Sequence, residues 1–360
     1  LDIRRLKFQI RPYKAGDEGQ ILRLRKAVFG DVDPVRTTLP AWRWQFQDNP
    51  AGEAFCVIAE DCGVVVGQYA VIPTCFSVEG KETVFAFSCD TMVHPEYQRK
   101  GIFVALAREL YRLMGEKHAI TTVWGFPNEA SLPGFTARLE WNLLCTFPFL
   151  IRPFRPLTLM CRHVPLLKKV VSAPEALKGL SVPSEAYDEG RGLVIEPLSH
   201  FDEEFDHLWK SHLGRFPVIQ IRDRHYLNWR YLGMPSFAYL PFSVKWQGEL
   251  SGYLILRMMN LKGHYFGVLV DLFPLPVINA SVTRLVIDFA SETCRKQGAE
   301  FMTCLLSKAK PEFLQHSGFR RIPNILNPKK WHFGCRFNGS TEILGSAENW
   351  FISYGDTDII

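Results

Sequence analysis

Apolar positions along this chain follow two rhythms, a period of two and a period near 3.6, and their order gives the first outline of the architecture. Phe55 to Ala59 and Val64 to Ile72 are apolar runs on either side of a turn containing Gly63, and Phe242 to Trp246 and Leu250 to Met258 flank Gly248 in the same way. Both pairs predict β-hairpins, with glycine supplying the positive φ of a tight turn. Val84 to Val93 is rich in β-branched and aromatic residues and predicts another strand. Beyond it Ile102, Phe103, Leu106, Leu110, Leu113 and Met114 recur at helical spacing, so an amphipathic helix starts there. Short strands are predicted at Phe8 to Arg11 and Leu193 to Glu196. Each is followed by a helical stretch, Asp17 to Val28 and Asp202 to Leu213, opened by an aspartate able to cap it. Val277 to Gln297 reads as a second long helix, Phe301 to Leu306 as a strand, and Phe313 to Phe319 as a counterpart of Phe135 to Trp141. Trp331 to Ile360 returns to aromatic-rich alternation, with Trp350 to Asp356 a strand running into a turn, and is expected to complete a second sheet.

The chain repeats itself. Setting each residue against the one 185 positions later pairs Ile10 with Ile195, Pro12 with Pro197, Asp17 with Asp202, Trp44 with Trp229, Pro50 with Pro235, Gly63 with Gly248 and Gly67 with Gly252. Identities on one diagonal, in the same predicted elements, indicate duplication. The expected fold class is therefore α+β, a mixed α/β sheet in each of two tandem domains: 1–150, a connector 151–191, and 192–360. Val171 to Arg191 carries Pro, Ser, Gly and acidic residues without sustained apolar period, the composition of a linker.

Between the strand ending at Val93 and the helix starting at Ile102 lies His94-Pro95-Glu96-Tyr97-Gln98-Arg99-Lys100-Gly101. The first backbone N–H groups of a helix have no partner within it, and the aligned peptide dipoles leave its N-terminus partly positive. An anion docked there is stabilised. Gly101 removes the Cβ that would block close approach, and Arg99 and Lys100 add mobile positive charge.

The turn Gln98-Arg99-Lys100-Gly101-Ile102-Phe103 resembles the acyl-coenzyme A site of the GNAT superfamily of N-acyltransferases, whose signature is Gln or Arg, two variable residues, Gly, one variable residue, then Gly or Ala. Phe103 departs from the small last residue; it either narrows the approach of the pyrophosphate or turns into the core. A second segment, Thr121 to Ser131 followed by Phe135 to Trp141, is similar to the superfamily's next strand and helix. There the resemblance implies that Asn128 orients the cofactor with Ser131 nearby. It also aligns Thr136 with the usual Tyr, Glu140 with the Gly and Trp141 with the Phe of the family's helix ending. The family's Tyr donates a proton to the departing thiolate, and Thr cannot do so at useful pH. Catalysis then needs another acid or simple loss of thiolate to water.

In the second half Gly318 and Phe319 keep the family's Gly-Phe ending, but Val270 to Pro276 has two prolines and no basic glycine turn. That half is expected to be a degenerate GNAT-like domain that walls the acceptor pocket and buries a shared interface.

If acetyl-CoA binds as the resemblance implies, its pyrophosphate meets the amides of Arg99 to Phe103 and its pantetheine lies along the edge of the strand ending at Val93. A backbone N–H near Met92 or Val93 would stabilise the oxyanion, contributing roughly 3 kcal/mol. The acceptor amine attacks directly in a ternary complex. Asp90 is the first candidate for general base, because pleat alternation puts it on one face with Ser88 and Met92; a structural, paired carboxylate is the alternative. His94 is the second candidate, although a residue before Pro95 also shapes the turn. Glu129 is a third, and Cys89 is expected to be a buried core thiol. Trp42, Trp44, Trp124, Trp141 and Trp229 are placed either in the core or against a sugar or aromatic acceptor.

Composition narrows the classes. Of 360 residues, 47% are hydrophobic and 22% charged, which is globular usage. No apolar run is long enough to span a bilayer, so no membrane span is expected. The N-terminal stretch has no signal-peptide core, although the absence of an initiator Met leaves room for a trimmed leader. Nine cysteines without CxxC pairs suit a reducing compartment, hence a cytoplasmic location. Cys161 and His163 lack a second pair at ligand spacing, so no metal site is expected. The net charge of +5 is modest, and the basic stretches Arg152, Arg155, Arg162, Lys168, Lys169 and Arg320, Arg321, Lys329, Lys330 are not a clustered patch, so no nucleic acid is expected as partner. The resulting expectation is an N-acyltransferase that moves an acetyl group from acetyl-CoA to a primary amine of a small molecule, an amino sugar being one option. The alternatives are a non-catalytic acyl-CoA-binding or sensory module and an aminoacyl-tRNA-dependent transferase. Composition is also compatible with an oligomer.

Overall fold

The computed structural model describes residues 8–30, 36–118, 120–154, 186–188, 192–235, 238–261, 263–323, 330–337 and 342–357. It is a mixed α/β fold with two sheets. The spatial order of the first sheet is β1 (Phe8–Pro12), β2 (Phe55–Asp61), β3 (Val64–Val78), β4 (Lys81–Val93), β5 (Val123–Gly125), β16 (Trp331–Arg336) and β6 (Asn142–Phe147). β10 (Val218–Gln220) and β17 (Trp350–Phe351) extend it from the far end of β3. The second sheet has the order β15 (Arg320–Arg321), β7 (Leu150–Pro153), β14 (Phe301–Cys304), β13 (His264–Phe273), β12 (Glu249–Leu261), β11 (Tyr239–Trp246), β9 (Leu193–Pro197) and β8 (Ala186–Asp188).

Helices join these strands, most of them where the apolar periods put them and two, at 39–46 and 224–227, that the periods did not mark. In the first half they are α1 (Glu18–Phe29), α2 (Leu39–Phe46), α3 (Ile102–His118) and α4 (Leu132–Arg138). In the second they are α5 (Glu203–Ser211), α6 (Arg224–Leu227), α7 (Ala280–Lys296) and α8 (Pro311–His316). Both hairpin turns place two successive residues at positive φ: Cys62 at 49° with Gly63 at 81°, and Gln247 at 53° with Gly248 at 88°. That geometry matches the twist of the flanking strands, as expected. Asp202 caps α5 through Glu204 N. Asp17 does not cap α1; its carboxylate takes both guanidinium N–H groups of Arg11, at 2.7 and 2.9 Å, and the N–H of Lys14.

The strand order contains a reciprocal exchange. β16, from the second half, sits between β5 and β6 of the first sheet, whereas β7, from the first half, sits between β14 and β15 of the second. Trp331 to Ile360 was expected to complete the second sheet, but its described strands join the first. The segment 151–191, expected as a connector, begins within β7 and contains β8; its residues 155–185 and 189–191, with Arg155, Cys161, Arg162, His163, Lys168 and Lys169, lie outside the described residues.

Two residues set against each other on the 185-residue diagonal meet in space. Trp44 and Trp229 stack with ring centroids 4.7 Å apart and planes 14° off parallel, and each indole N–H donates to the other residue's carbonyl, at 2.8 and 3.0 Å. A contact in which equivalent residues exchange equivalent bonds is the mark of local two-fold symmetry. One apolar core runs through both halves, joining Phe76, Phe85 and Trp124 of the first sheet to Phe216, Trp350 and Tyr354. A second lies between the first sheet and helices α3 and α4. Among the described residues no helix is long and apolar enough to cross a membrane.

Candidate functional site

β4 pairs with β5 only at Ala86–Val123 and Phe87–Trp124, so Ser88 to Val93 run on without a partner in β5. The two strands part there. On its other side β4 stays paired with β3, but Asp90 and Thr91 together oppose Tyr69, and Asp90 has a φ of +46°. This is a β-bulge, and the extra residue reverses which face the following side chains point to. Ser88 therefore faces α3, donating to Tyr69 Oη at 3.0 Å, whereas Met92 packs in the core on the α1 side and Asp90 reaches Arg25 of α1. The expectation that Ser88, Asp90 and Met92 share a face fails because strict alternation cannot anticipate a bulge.

Asp90 forms ion pairs with Arg25 and, at 3.6 Å, Arg36, and its side chain is only 8% exposed. Burial raises its proton affinity, but the two guanidinium groups outweigh burial and hold it below the usual carboxylate range. Such a group is a poor general base, and the structural alternative fits its surroundings. Asp90→Asn should leave two buried guanidinium groups without their carboxylate and destabilise the fold by about 3–5 kcal/mol. Because the folded-state pKa is depressed, the wild-type contribution is present above about pH 4 and lost as pH falls through the folded value. Chemical denaturation at neutral and acidic pH should therefore show the gap between wild type and variant closing in acid.

His94 shapes the turn. Its Nδ1 accepts from Glu96 N at 3.4 Å, its backbone N–H donates to Val66 O, and its ring meets the Tyr97 ring edge-on at 6.0 Å. Gln98 Nε2 donates to Val93 O at 3.3 Å. Arg99 and Gly101 have φ of 62° and 80°, and a Cβ on Gly101 would meet nothing within 4 Å, so the turn lies open. Lys100 Nζ stands 4.8 Å over the Tyr97 ring, and Tyr97 Oη donates to Asp61.

α3 begins directly at this opening. Ile102 and Leu106 press on Gly67 of β3, which pairs with Val93, and a Cβ at Gly67 would come within 3.0 Å of Ile102. Phe103 turns inward, 5.0 Å from Phe135 and 6.0 Å from Tyr69, so of its two expected placements the structure adopts the core one. Asn128 accepts from Ser131 N at 2.9 Å and so shapes the start of α4; it is exposed. Thr136 also lies exposed, its hydroxyl bonded back to Leu132 O.

Between α3 and α4 an open groove of about 570 Å³ runs from Gly101 past Val104, Arg108, Thr136 and Arg138. Neither Arg108 nor Arg138 belongs to the basic glycine turn or to the basic stretches of the sequence. Arg108 lies two helical turns after Gly101, a spacing that could have marked it; Arg138 carries no local signal. Also unforeseen is a hydroxyl chain on the α3 side of the parting strands: Ser88 to Tyr69, Tyr69 to Tyr111 at 2.7 Å, and Trp141 Nε1 to Tyr111 at 3.0 Å. Burial pushes the Tyr111 phenol up to about 12.

On the opposite face of the first sheet lies a partly open cavity of about 300 Å³. Its floor is Ile72, Thr74, Phe87 and Trp124, the last two being the pair at which β4 and β5 part. Its roof comes from the second half, with Tyr226, Trp229 and the chain-end residues Gly355 to Thr357. Neither Asp90 nor His94 lines it. Asp356 is fixed by the wholly buried Arg222, at 2.9 and 3.0 Å, and Arg222 also meets Asp271 at 3.3 Å. Burial and the second carboxylate raise the Asp356 pKa. Asp223, at the cavity wall, accepts from Tyr226 N through Oδ1.

The second half lacks the open turn. Against Gly252, the repeat of Gly67, stand Pro274 and Val277, and Asn279 caps α7 by accepting from Val282 N at 3.0 Å. Of the basic residues marked earlier, Arg152 pairs with Asp288 and Lys330 with Glu129, while Arg320 and Arg321 are exposed and Lys329 lies outside the described residues. Cys89 is buried, and the expected core tryptophans Trp42, Trp124 and Trp141 are each at most 5% exposed.

Residues 9–144 match the family described as acetyltransferase (GNAT) domain. The fold is similar to a GCN5-related N-acetyltransferase from Anabaena variabilis, with a TM-score of 0.56 and 11% identity over 92% of this chain and 73% of that one. It is also similar to Saccharomyces cerevisiae N-myristoyltransferase with bound myristoyl-CoA (TM-score 0.59, 14% identity, 92% and 79%). A probable N-acyltransferase from Enterococcus faecalis, described as a conserved protein of unknown function, gives 0.59, 11%, 92% and 73%. No curated protein matches the chain in sequence.

Proposed function

We propose, from the premise that residues 9–144 form a GNAT acetyltransferase domain, that this chain transfers a short acyl group, acetyl in the first instance, from acyl-coenzyme A to the primary amine of a small molecule. The observation that carries the reading is the open basic turn at Gly101, set where an unpaired edge of β4 leads down to the Phe87–Trp124 pair on the cavity floor. In it the pyrophosphate meets the amides of Arg99 to Phe103 at the positive end of α3. Pantetheine amides bond to the free edge of β4, whose backbone groups otherwise lack a ladder partner on that side. The thioester then reaches the point where β4 and β5 part, and the amine attacks from the cavity side.

A short acyl group is favoured by size. On the other face of the parting strands Tyr69, Phe135 and Trp141, all at most 5% exposed, fill the space a long chain would need. With Thr136 at the position of the family's tyrosine, the thiolate leaves to water, which a coenzyme A thiol does readily. We read the second half as a GNAT-like domain without a coenzyme site, kept to roof the acceptor cavity; its capped α7 and its proline-filled approach to Gly252 support that view.

Calorimetric titration of acetyl-CoA and myristoyl-CoA, followed by thiol release with a panel of amines, tests the proposal. Acetyl-CoA should bind at least tenfold more tightly and turn over with some amine. Tight binding without thiol release for any amine would leave a coenzyme-binding module instead.

A further inference from the structure

Two carboxamides in the interface cavity lack a full set of partners. Gln220 of β10 lines the cavity and is 5% exposed, yet neither atom of its amide bonds to any described residue. Gln45 of α2, 7% exposed, accepts from Arg36 at 3.3 Å through Oε1, and its Nε2 donates to no described residue. None of these atoms is among the wholly sealed polar atoms without partners, so each keeps some open surface, and the open space beside them is the cavity. A buried amide without a partner carries its desolvation penalty, which a ligand or ordered water must relieve.

The remaining walls limit what that ligand is. Trp44 and Trp229, half-buried and stacked on each other, line the wall, and Asp223 adds a carboxylate with one oxygen not used in capping. We infer that the cavity takes a monosaccharide-sized amine and reads its hydroxyl groups through Gln45 and Gln220. A hydroxyl both donates and accepts, as a carboxamide does, so each amide atom finds a complement. The C–H face of a saturated ring packs on indole, and the ammonium is drawn to Asp223 before transfer. An amine of equal size without hydroxyls would leave both amides dry. The inference rests on the acyltransferase reading for its chemistry, though the ring-binding site can be tested without turnover.

The test titrates the full chain with methyl glycosides of the positional isomers of aminohexose and with cyclohexylamine, the same size of ring bare of hydroxyls. At least one glycoside should bind tenfold or more tightly than cyclohexylamine. Gln220→Leu and Gln45→Met should each weaken that glycoside about tenfold. In turnover the loss should fall on KM, with kcat within about twofold, and acetyl-CoA titration of each variant reports that the fold is intact. Equal affinity for glycoside and cyclohexylamine overturns the inference, as does unchanged glycoside affinity in both folded variants. Failure of the wild type to bind acetyl-CoA would overturn the acyltransferase reading alone; glycoside binding that Gln220→Leu removes would still uphold the sugar site.

Discussion

Gly101→Glu is expected to reduce acetyl-CoA affinity by at least 100-fold while leaving the fold intact. A Cβ at this position meets no neighbouring atom within 4 Å, so the side chain starts in open space. Its φ of 80° is unfavourable for glutamate, costing about 1–2 kcal/mol in an exposed turn. The larger effect is electrostatic: a carboxylate about 5 Å from a phosphate, at an effective dielectric of about 20, opposes binding by roughly 3 kcal/mol per unit charge. It also occupies the space through which the ligand would reach the first amides of α3. Gly101→Ala separates the terms, since it carries the backbone penalty without the charge, and should lose tenfold or less. Calorimetry on both variants, with circular dichroism as the check on folding, decides the matter. A glutamate variant that binds like wild type would mean that the turn holds no phosphate.

A chain ended after Pro323 should fail to form the first sheet, even though all of residues 9–144 are present. What it lacks of that sheet is β17 and, more consequentially, β16, the only described strand that joins β5 to β6. Trp331, Phe333 and Cys335 on that strand are at most 3% exposed, and Phe333 packs against Trp124, Phe126, Phe147 and Trp350. Burial of such side chains contributes about 1.5–3 kcal/mol each, and a whole domain is stable by only about 5–15 kcal/mol. Loss of the strand and of the ladder bonds on both its sides exceeds that margin. Such a chain, and still more the first half alone, should therefore be insoluble or molten and bind no acetyl-CoA. Coexpression of two pieces cut between 155 and 185 should restore binding, because β7 and β16 can then each reach the opposite sheet. A first half that binds acetyl-CoA alone with wild-type affinity would refute this view of the exchange.

Much of the architecture was legible because it is local. Both hairpins, their positive-φ turns and the helix from Ile102 lie where the apolar periods put them. The 185-residue diagonal paired Trp44 with Trp229, which meet across the local two-fold. What could not be read is what depends on partners far away in sequence. An apolar alternation such as Trp331 to Arg336 marks a strand but not the sheet that receives it. The face of Asp90 was lost for a different reason, since one extra residue in β4 inverts the pleat and leaves no trace in composition. Gln45 and Gln220 are single polar residues in apolar surroundings, and only the cavity that brings them together gives them meaning.

The exchanged strands also bear on how the chain is made. At synthesis rates of about 5–20 residues per second, the ribosome needs on the order of ten to forty seconds to go from the end of β6 to the end of β16, about 190 residues later. Throughout that interval the nascent first half has every element of its own except the strand that fills the gap beside β5. Its exposed strand edges are then a template for any other strand, including β16 of a neighbouring chain on the same polysome. Overexpression should therefore produce intertwined dimers in which each chain completes its neighbour.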